Sequence, residues 1–298
     1  MNILFTGGTG LIGSAFIKGI GQNYHYTVLT RQPENAKCIL GPKVKTITRL
    51  DALKDLNAFD AVINLAGEPI ADKRWTAARK AKLEQSRWAL TEQLVQLMHA
   101  SENPPKVFIS GSAVGYYGRQ GQQPVTENSA TPHPEYSHTL CKGWEDTAQT
   151  VADKTRLSIV RTGIVLAPQG GALKKMAVPF KFGLGGPIGS GKQMMSWIHI
   201  NDMVRLLHFL LEEEQCEGAY NATAPAPVSN LEFSKSLAQT LNRPCIFKVP
   251  SFVMRALLGE MADLILTGQA ALPERLQRQG FEFEYPELTP ALQQVLGS

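Results

Sequence analysis

The segment Thr6-Gly7-Gly8-Thr9-Gly10-Leu11-Ile12-Gly13 carries the chain's clearest chemistry. It satisfies two glycine spacings at once: GxGxxG through Gly8, Gly10 and Gly13, and GxxGxxG through Gly7, Gly10 and Gly13. A strand-like run, Asn2 to Thr6, precedes it and helical character, Leu11 to Ile20, follows. A chain that turns sharply from strand to helix and lets its backbone touch a pyrophosphate must carry almost no bulk at the turn. The helix start then offers free N–H groups and the positive end of its dipole to the phosphates. These residues therefore predict a dinucleotide site.

Two further strand ends refine that expectation. An NAD-type site usually sets an acid at the end of the second strand, roughly 20 residues after the glycines, to bond the ribose 2′-hydroxyl. Here that strand ends in Leu29-Thr30-Arg31, and the next acid is Glu34. A guanidinium with a neighbouring hydroxyl suits a 2′-phosphate, which predicts NADP. Asn64-Leu65-Ala66-Gly67 closes a later strand with small residues that let the backbone lie against a cofactor in the sheet crevice.

The elements that must hold these residues alternate. Strand-like runs at Tyr26 to Thr30, Val44 to Thr48, Ala61 to Leu65, Val107 to Ser110 and Leu157 to Arg161 are interleaved with helical periodicity at Ser86 to Ala100 and Leu140 to Ala152. Such alternation predicts an α/β fold: a Rossmann-type doubly wound parallel sheet with helices on both faces. After Pro168 the character changes to a glycine-rich stretch, Gly170 to Gly191. Residues 1–168 are expected to form the NADP-binding domain, with about 195–222 returning to it. Residues 169–298 are expected to form a smaller C-terminal α/β domain on the substrate side. Within it, Leu231 to Leu241 reads as an amphipathic helix capped by Ser229 or Asn230.

Composition excludes several classes. Hydrophobic residues are 43% and charged residues 19%, which argues against disorder. A net charge of +4, with scattered basic residues, gives no nucleic-acid footprint. Cys38, Cys141, Cys216 and Cys245 have no CxxC spacing, so no metal site is expected and the thiols are read as reduced in a cytoplasm. The start MNILFTGG has neither a basic nor a long apolar leader region, and no apolar run reaches the ~18 residues of a membrane span. The expected partner is a small-molecule substrate, with neither nucleic acid nor membrane.

TGGTGLIG, NLAGEPIADKRW, SGSAVGYYG, VRTGIVLAPQGG, GLGGPIGSGKQ and WIHINDM together resemble the extended short-chain dehydrogenase/reductase superfamily, and within it a nucleoside-diphosphate-sugar epimerase subfamily with its own C-terminal module. The resemblance spans essentially the whole chain. It implies that Gly7, Gly10, Leu11, Ile12 and Gly13 meet the pyrophosphate, Thr30 and Arg31 the adenosine phosphate, and Leu65 and Ala66 the ribose and pyrophosphate. It also implies that Arg87 faces the cofactor and that Val165 lies near the nicotinamide.

In that superfamily a Ser or Thr orients the substrate oxygen, a Tyr moves its proton, and a Lys four residues after the Tyr holds the nicotinamide ribose. Ser112 matches the serine and Lys142 the lysine. The residue four before Lys142 is His138, not tyrosine. His138, whose imidazole titrates near neutrality, is one candidate for the proton; Tyr136 and Tyr117 are the others. Tyr116 and Tyr117 follow the serine strand. The loop Gly185 to Gly191 lacks the Gly-Lys-Ser/Thr ending of a P-loop and is expected to wall a substrate pocket with Phe180, Gly186 and Gln193. The expected function is an NADP-dependent oxidoreductase or epimerase acting on a carbinol carbon of a sugar-like substrate. The alternative, kept open by the missing tyrosine, is an NADP-binding regulatory module with little turnover.

Overall fold

Seven strands form one all-parallel sheet: β1 (Asn2–Thr6), β2 (His25–Leu29), β3 (Lys45–Ile47), β4 (Ala61–Asn64), β5 (Val107–Ala113), β6 (Arg156–Thr162) and β7 (Gly218–Ala222). Their spatial order is 7-6-5-4-1-2-3. The order reverses at β1/β4, so a crevice opens at the carboxyl ends of those two strands, where open α/β sheets bind ligands. The structure, a computed structural model, describes residues 1–128, 131–168 and 170–297; residue 169, where the second unit is expected to begin, lies outside the described residues.

The central strands are apolar on both faces because helices cover both. Ile3 and Phe5 of β1 point into one core with Ile63, Ile109 and Val160, beneath α1 (Leu11–Lys18) and α7 (Ile200–Glu212). Leu4 points the other way, into a core with Val62, Phe108, Leu94 and Met98, beneath α4 (Trp88–Ala100) and α5 (Tyr136–Gln149). Helix α2 (Pro33–Leu40) follows β2, and α3 (Ala77–Gln85) opens on Thr76, whose hydroxyl caps Arg79 N–H.

The smaller unit has its own core, built from Leu173 and Phe180 of α6 (Gly171–Lys181), Phe233 and Leu237 of α8 (Asn230–Thr240), Trp197, and Leu292 near the chain's end. Ser229 caps α8 by accepting from Glu232 N–H. Two-stranded pairs join residues 164–166 to 197–199, 194–195 to 228–229, and 124–125 to 270–271. The segment expected as glycine-rich loop thus begins with a helix, α6. Pro179 sits in its last turns, where the missing N–H disturbs little of the helix that remains.

The C-terminal segment belongs to both units. Leu276 and Phe281 enter the core beneath the main sheet. Buried Asp202 of α7 accepts the backbone N–H groups of Glu284 at 2.7 Å and Tyr285 at 2.9 Å. The cap of α7 is His199: its Nδ1 accepts Asn201 N–H, so Nε2 carries the proton and donates to Gln294 at 2.8 Å. Among the described residues, no helix is long and apolar enough to cross a membrane.

Candidate active site

The glycine turn brings β1, α1 and the end of β4 into contact. Gly7 has φ +78°, and a Cβ there would stand 2.8 Å from backbone atoms of Leu65 and Ala66. A Cβ on Gly13 would stand 2.5 Å from Gly7 O. Helix α1 starts at Gly10 with no side-chain cap and no acid in its first turn, so its leading N–H groups are left for a ligand. The floor beside it is fixed by a buried polar chain. Thr6 Oγ1 donates to Asn64 Oδ1 at 2.6 Å, and Asn64 Nδ2 donates to Thr91 Oγ1 at 2.8 Å. Trp144 Nε1 donates to the same Thr91 oxygen at 2.9 Å, which ties α5 to the crevice.

A cleft of about 800 Å³ runs outward from this turn. Gly7, Gly10, Thr30, Arg31, Leu65, Ala66 and Gly67 line it. Arg31 is extended into solvent, its side chain 90% exposed and 3.9 Å from Glu68. Glu68 also meets Arg79 at 3.0 Å and Lys82 at 3.7 Å, so three cations surround one carboxylate. The Arg79 hydrogen bond, followed by the Lys82, Arg79 and Arg31 charges, outweighs desolvation and holds the Glu68 carboxyl below its usual range. Arg87 packs under Gly67 and donates to Glu68 O and Leu83 O. Burial lowers its affinity for its proton, although a guanidinium stays charged at neutral pH. Farther along, a Cβ on Gly171 at the start of α6 would stand 3.0 Å from Leu11 Cδ2 and 3.5 Å from Val165 O, so little space separates the α1 tip from that helix start.

The expected proton-handling residues are arranged differently from the superfamily pattern. Ser112 Oγ donates to Glu145 Oε1 at 2.6 Å in a buried contact. Glu145 is held in turn by Arg161, Nε to Oε1 at 2.9 Å and Nη2 to Oε2 at 2.7 Å. The hydroxyl expected to orient a substrate oxygen is therefore engaged by a buried carboxylate. Burial opposes the Arg161 charge, but the Glu145 hydrogen bonds and charge raise its pKa further. Lys142, expected on the ribose, is half-exposed and paired with Asp146 one turn along α5. The Asp146 hydrogen bond is the main cause of its raised pKa; the Asp146, Tyr116 and Glu145 charges also contribute.

Tyr117 is 1% exposed, its hydroxyl donating to Asn221 and accepting from Arg161, with burial raising its pKa. Tyr136 faces α3, donating to Lys80 O at 3.1 Å, and desolvation raises its pKa as well. Tyr117 joins Ser112 indirectly, through Arg161 and Glu145. His138 does stay near the serine strand: its Nδ1 meets Tyr116 O at 2.5 Å. A carbonyl only accepts, so Nδ1 carries a proton, and in the neutral ring the lone pair is on Nε2.

The expected substrate wall is different too. Phe180 is 5% exposed in the second core, because the last turn of α6 faces inward under Gly185. Gly186 lies against Phe247 O. Gln193 donates to Ile188 O and Ile265 O, stapling its own loop to the C-terminal segment. Among the described residues, no cluster of three or more His, Cys, Asp or Glu could hold a metal.

The Glu145–Arg161 pair was not singled out from sequence. Its signal was present: a charge flanked by Ile159 and Val160 in a central strand must find a buried partner.

The sheet order, the crevice and the uncapped glycine turn define a Rossmann-type dinucleotide-binding protein. The chain belongs to the NAD dependent epimerase/dehydratase family, whose model matches residues 3–223. A domain of unknown function, DUF1731, matches residues 249–295. The mouse epimerase family protein SDR39U1 is 36% identical over 300 residues, spanning 99% of this chain and 100% of the relative. Epimerase family protein ML0860 of Mycobacterium leprae is 38% identical, spanning 97% and 94%. The crystal structure of human SDR39U1 isoform 2 with NADPH superposes with a TM-score of 0.91 at 34% identity, covering 100% of this chain and 99% of that one. UDP-glucuronic acid 4-epimerase of Bacillus cereus, solved with UDP-glucuronic acid and NAD, shares the fold at 19% identity and a TM-score of 0.77, covering 98% and 97%.

Proposed function

We propose that this chain is an NADP-dependent oxidoreductase or epimerase acting on a carbinol carbon of a small sugar-like substrate, such as a nucleotide sugar, in the cytoplasm. One observation carries the cofactor choice: the cleft from the uncapped α1 tip ends at Thr30 and Arg31, with no acid at the end of β2. The NADPH seen with the human relative agrees with it.

The residues present fit such a group. The α1 tip and Gly7 to Gly13 would hold the pyrophosphate, Thr30 and Arg31 the 2′-phosphate, and Leu65, Ala66 and Gly67 the ribose between them. When bound, the cofactor supplies a reversible hydride acceptor, so that a secondary alcohol becomes a ketone that can be reduced again on either face. The chain's own part is to fix the substrate against Val165 and to move one proton at the reacting oxygen. His138, with Nε2 free to accept, and the aromatic groups beside it are the material for that step.

Titration with NADPH and NADH by nucleotide fluorescence tests the first half. Turnover on a panel of nucleotide sugars and simple carbonyl compounds tests the second. Tight NADPH binding with conversion of any panel member is the expected result. NADPH binding without turnover would favour the regulatory module. That alternative has its own support: Ser112 and Lys142 are both occupied by carboxylates of the same helix.

A further inference from the structure

The reaction described above needs a group that exchanges a proton with the substrate oxygen, and α5 carries no tyrosine four residues before Lys142. The turn after β5 brings a tyrosine to that helix face. Residues 114–117 form a short 3₁₀ turn, in which Tyr117 plunges into the interior and Tyr116 stays half-buried. The Tyr116 ring centre lies 3.6 Å from the Arg161 guanidinium carbon. It meets the His138 ring edge-on at 5.4 Å and the Tyr117 ring edge-on at 5.6 Å. Its backbone carbonyl accepts from His138 Nδ1. Lys142 is one turn beyond His138, so both share the face of α5 that the ring approaches.

We propose that Tyr116 supplies, from the strand loop, the phenol that α5 lacks, and that His138 is a positioning residue that pins it. This rests on the oxidoreductase or epimerase function proposed above. In the oxidative direction Tyr116 acts as the phenolate, its own proton having gone to solvent: the substrate O–H bond breaks and its proton passes to the Tyr116 oxygen, restoring the phenol. The C–H pair leaves as hydride to the nicotinamide, and the ketone C=O forms. In the reductive direction Tyr116 returns the proton to the same oxygen. Arg161 holds the ring from beneath and is fixed by Glu145, whose other contact is Ser112. The serine then supports the tyrosine through two buried groups rather than touching substrate itself.

The experiment combines turnover with a direct view of the phenol. Protein with ¹³C-labelled tyrosine rings is titrated with NADP, the Tyr116 signal being assigned by its absence in Tyr116→Phe. The signal is expected to shift on NADP binding; a Tyr116 signal that stays fixed while NADP binds overturns the proposal. With NADPH and phenanthrenequinone as carbonyl probe, or any active panel member, Tyr116→Phe is expected to lose at least a hundredfold in kcat while binding NADPH within threefold of the parent. Retained kcat overturns the proposal. His138→Gln, whose amide can still donate to Tyr116 O, is expected to recover most of the activity lost in His138→Ala and to keep the pH profile. Loss of one limb of that profile in His138→Gln would make the imidazole the proton carrier and overturn the assignment to Tyr116. Failure of the parent to bind NADP would remove the functional basis itself, an outcome distinct from a fixed Tyr116 signal.

Discussion

Arg161 and Glu145 face each other through two parallel hydrogen bonds, 2.9 and 2.7 Å long, with side chains only 7% and 8% exposed. One residue is next to last in β6 and the other on the inner face of α5. A pair this enclosed is costly to break from one side, because the remaining charge stays buried. Glu145→Ala is expected to cost about 3–5 kcal/mol of stability. The double change Glu145→Leu with Arg161→Met should cost clearly less than Glu145→Ala alone. Chemical denaturation of the three proteins checks the ordering.

Gly13 tests the glycine turn. Its missing Cβ is what leaves room for Gly7 O, only 2.5 Å from where that atom would stand. Gly13→Ala must push the helix start off the turn. It is expected to lose stability by about 1–3 kcal/mol and to weaken NADPH binding beyond detection by fluorescence titration. Unchanged binding would mean that the helix tip is not what grips the phosphates.

Arg31 separates the two nicotinamide nucleotides. Its side chain is almost fully exposed, and Glu68 lies 3.9 Å away. Arg31→Ala should therefore leave stability unchanged. A charge-assisted hydrogen bond to phosphate corresponds to roughly a tenfold to hundredfold loss in NADPH affinity. NADH affinity should not move. Equal losses for both nucleotides would assign Arg31 to the shared part of the cofactor.

His199 gives the fold an acid-sensitive point. Desolvation lowers its pKa, against the opposing pull of Gln294, Asp202 and Glu284. The unfolded chain then binds this proton more readily than the folded one. Stability should fall as pH drops through about 6.5, the ordinary histidine value. Asp202 acts in the opposite sense: burial raises its carboxyl pKa, so its contribution grows as pH falls through that raised value. His199→Gln should flatten the loss near 6.5 and leave the Asp202 part, which denaturation series between pH 5 and 8 would separate.

Much of the fold is legible in local patterns. The apolar runs Ile3–Phe5 and Ala61–Ile63 are buried on both faces, as parallel strands under two helix layers require. The glycine spacing predicts a turn with no room for side chains, and a Cβ on Gly7 would stand 2.8 Å from Ala66 N. Ser229 as helix cap follows from residue type alone. The interior of the candidate site is less legible because its partners come from different elements. Ser112 and Lys142 carry the right types at the right spacing, yet Ser112 is engaged by Glu145, 33 residues on, which no local pattern reveals, and Lys142 is engaged by Asp146 one turn along its own helix. Phe180 was expected in a pocket wall because the stretch around it is rich in glycine; the helix that forms there turns it into a core. Tyr116 and Tyr117 are neighbours in sequence with opposite fates, and only the path of the 3₁₀ turn decides which one is swallowed.

Asp202 grips two amides contributed by residues 284 and 285, and Leu276 and Phe281 fill space under the sheet that β1 begins. During translation, the first 222 residues, which carry the whole main sheet and Asp202, therefore leave the ribosome with a hole in their own interior and an ionisable group still hungry for donors. Maturation of the nucleotide-binding half waits for the tail to emerge. A premature stop near residue 250 would thus cost far more than a missing appendage: it would leave an open-sided intermediate for chaperones and proteases to compete over.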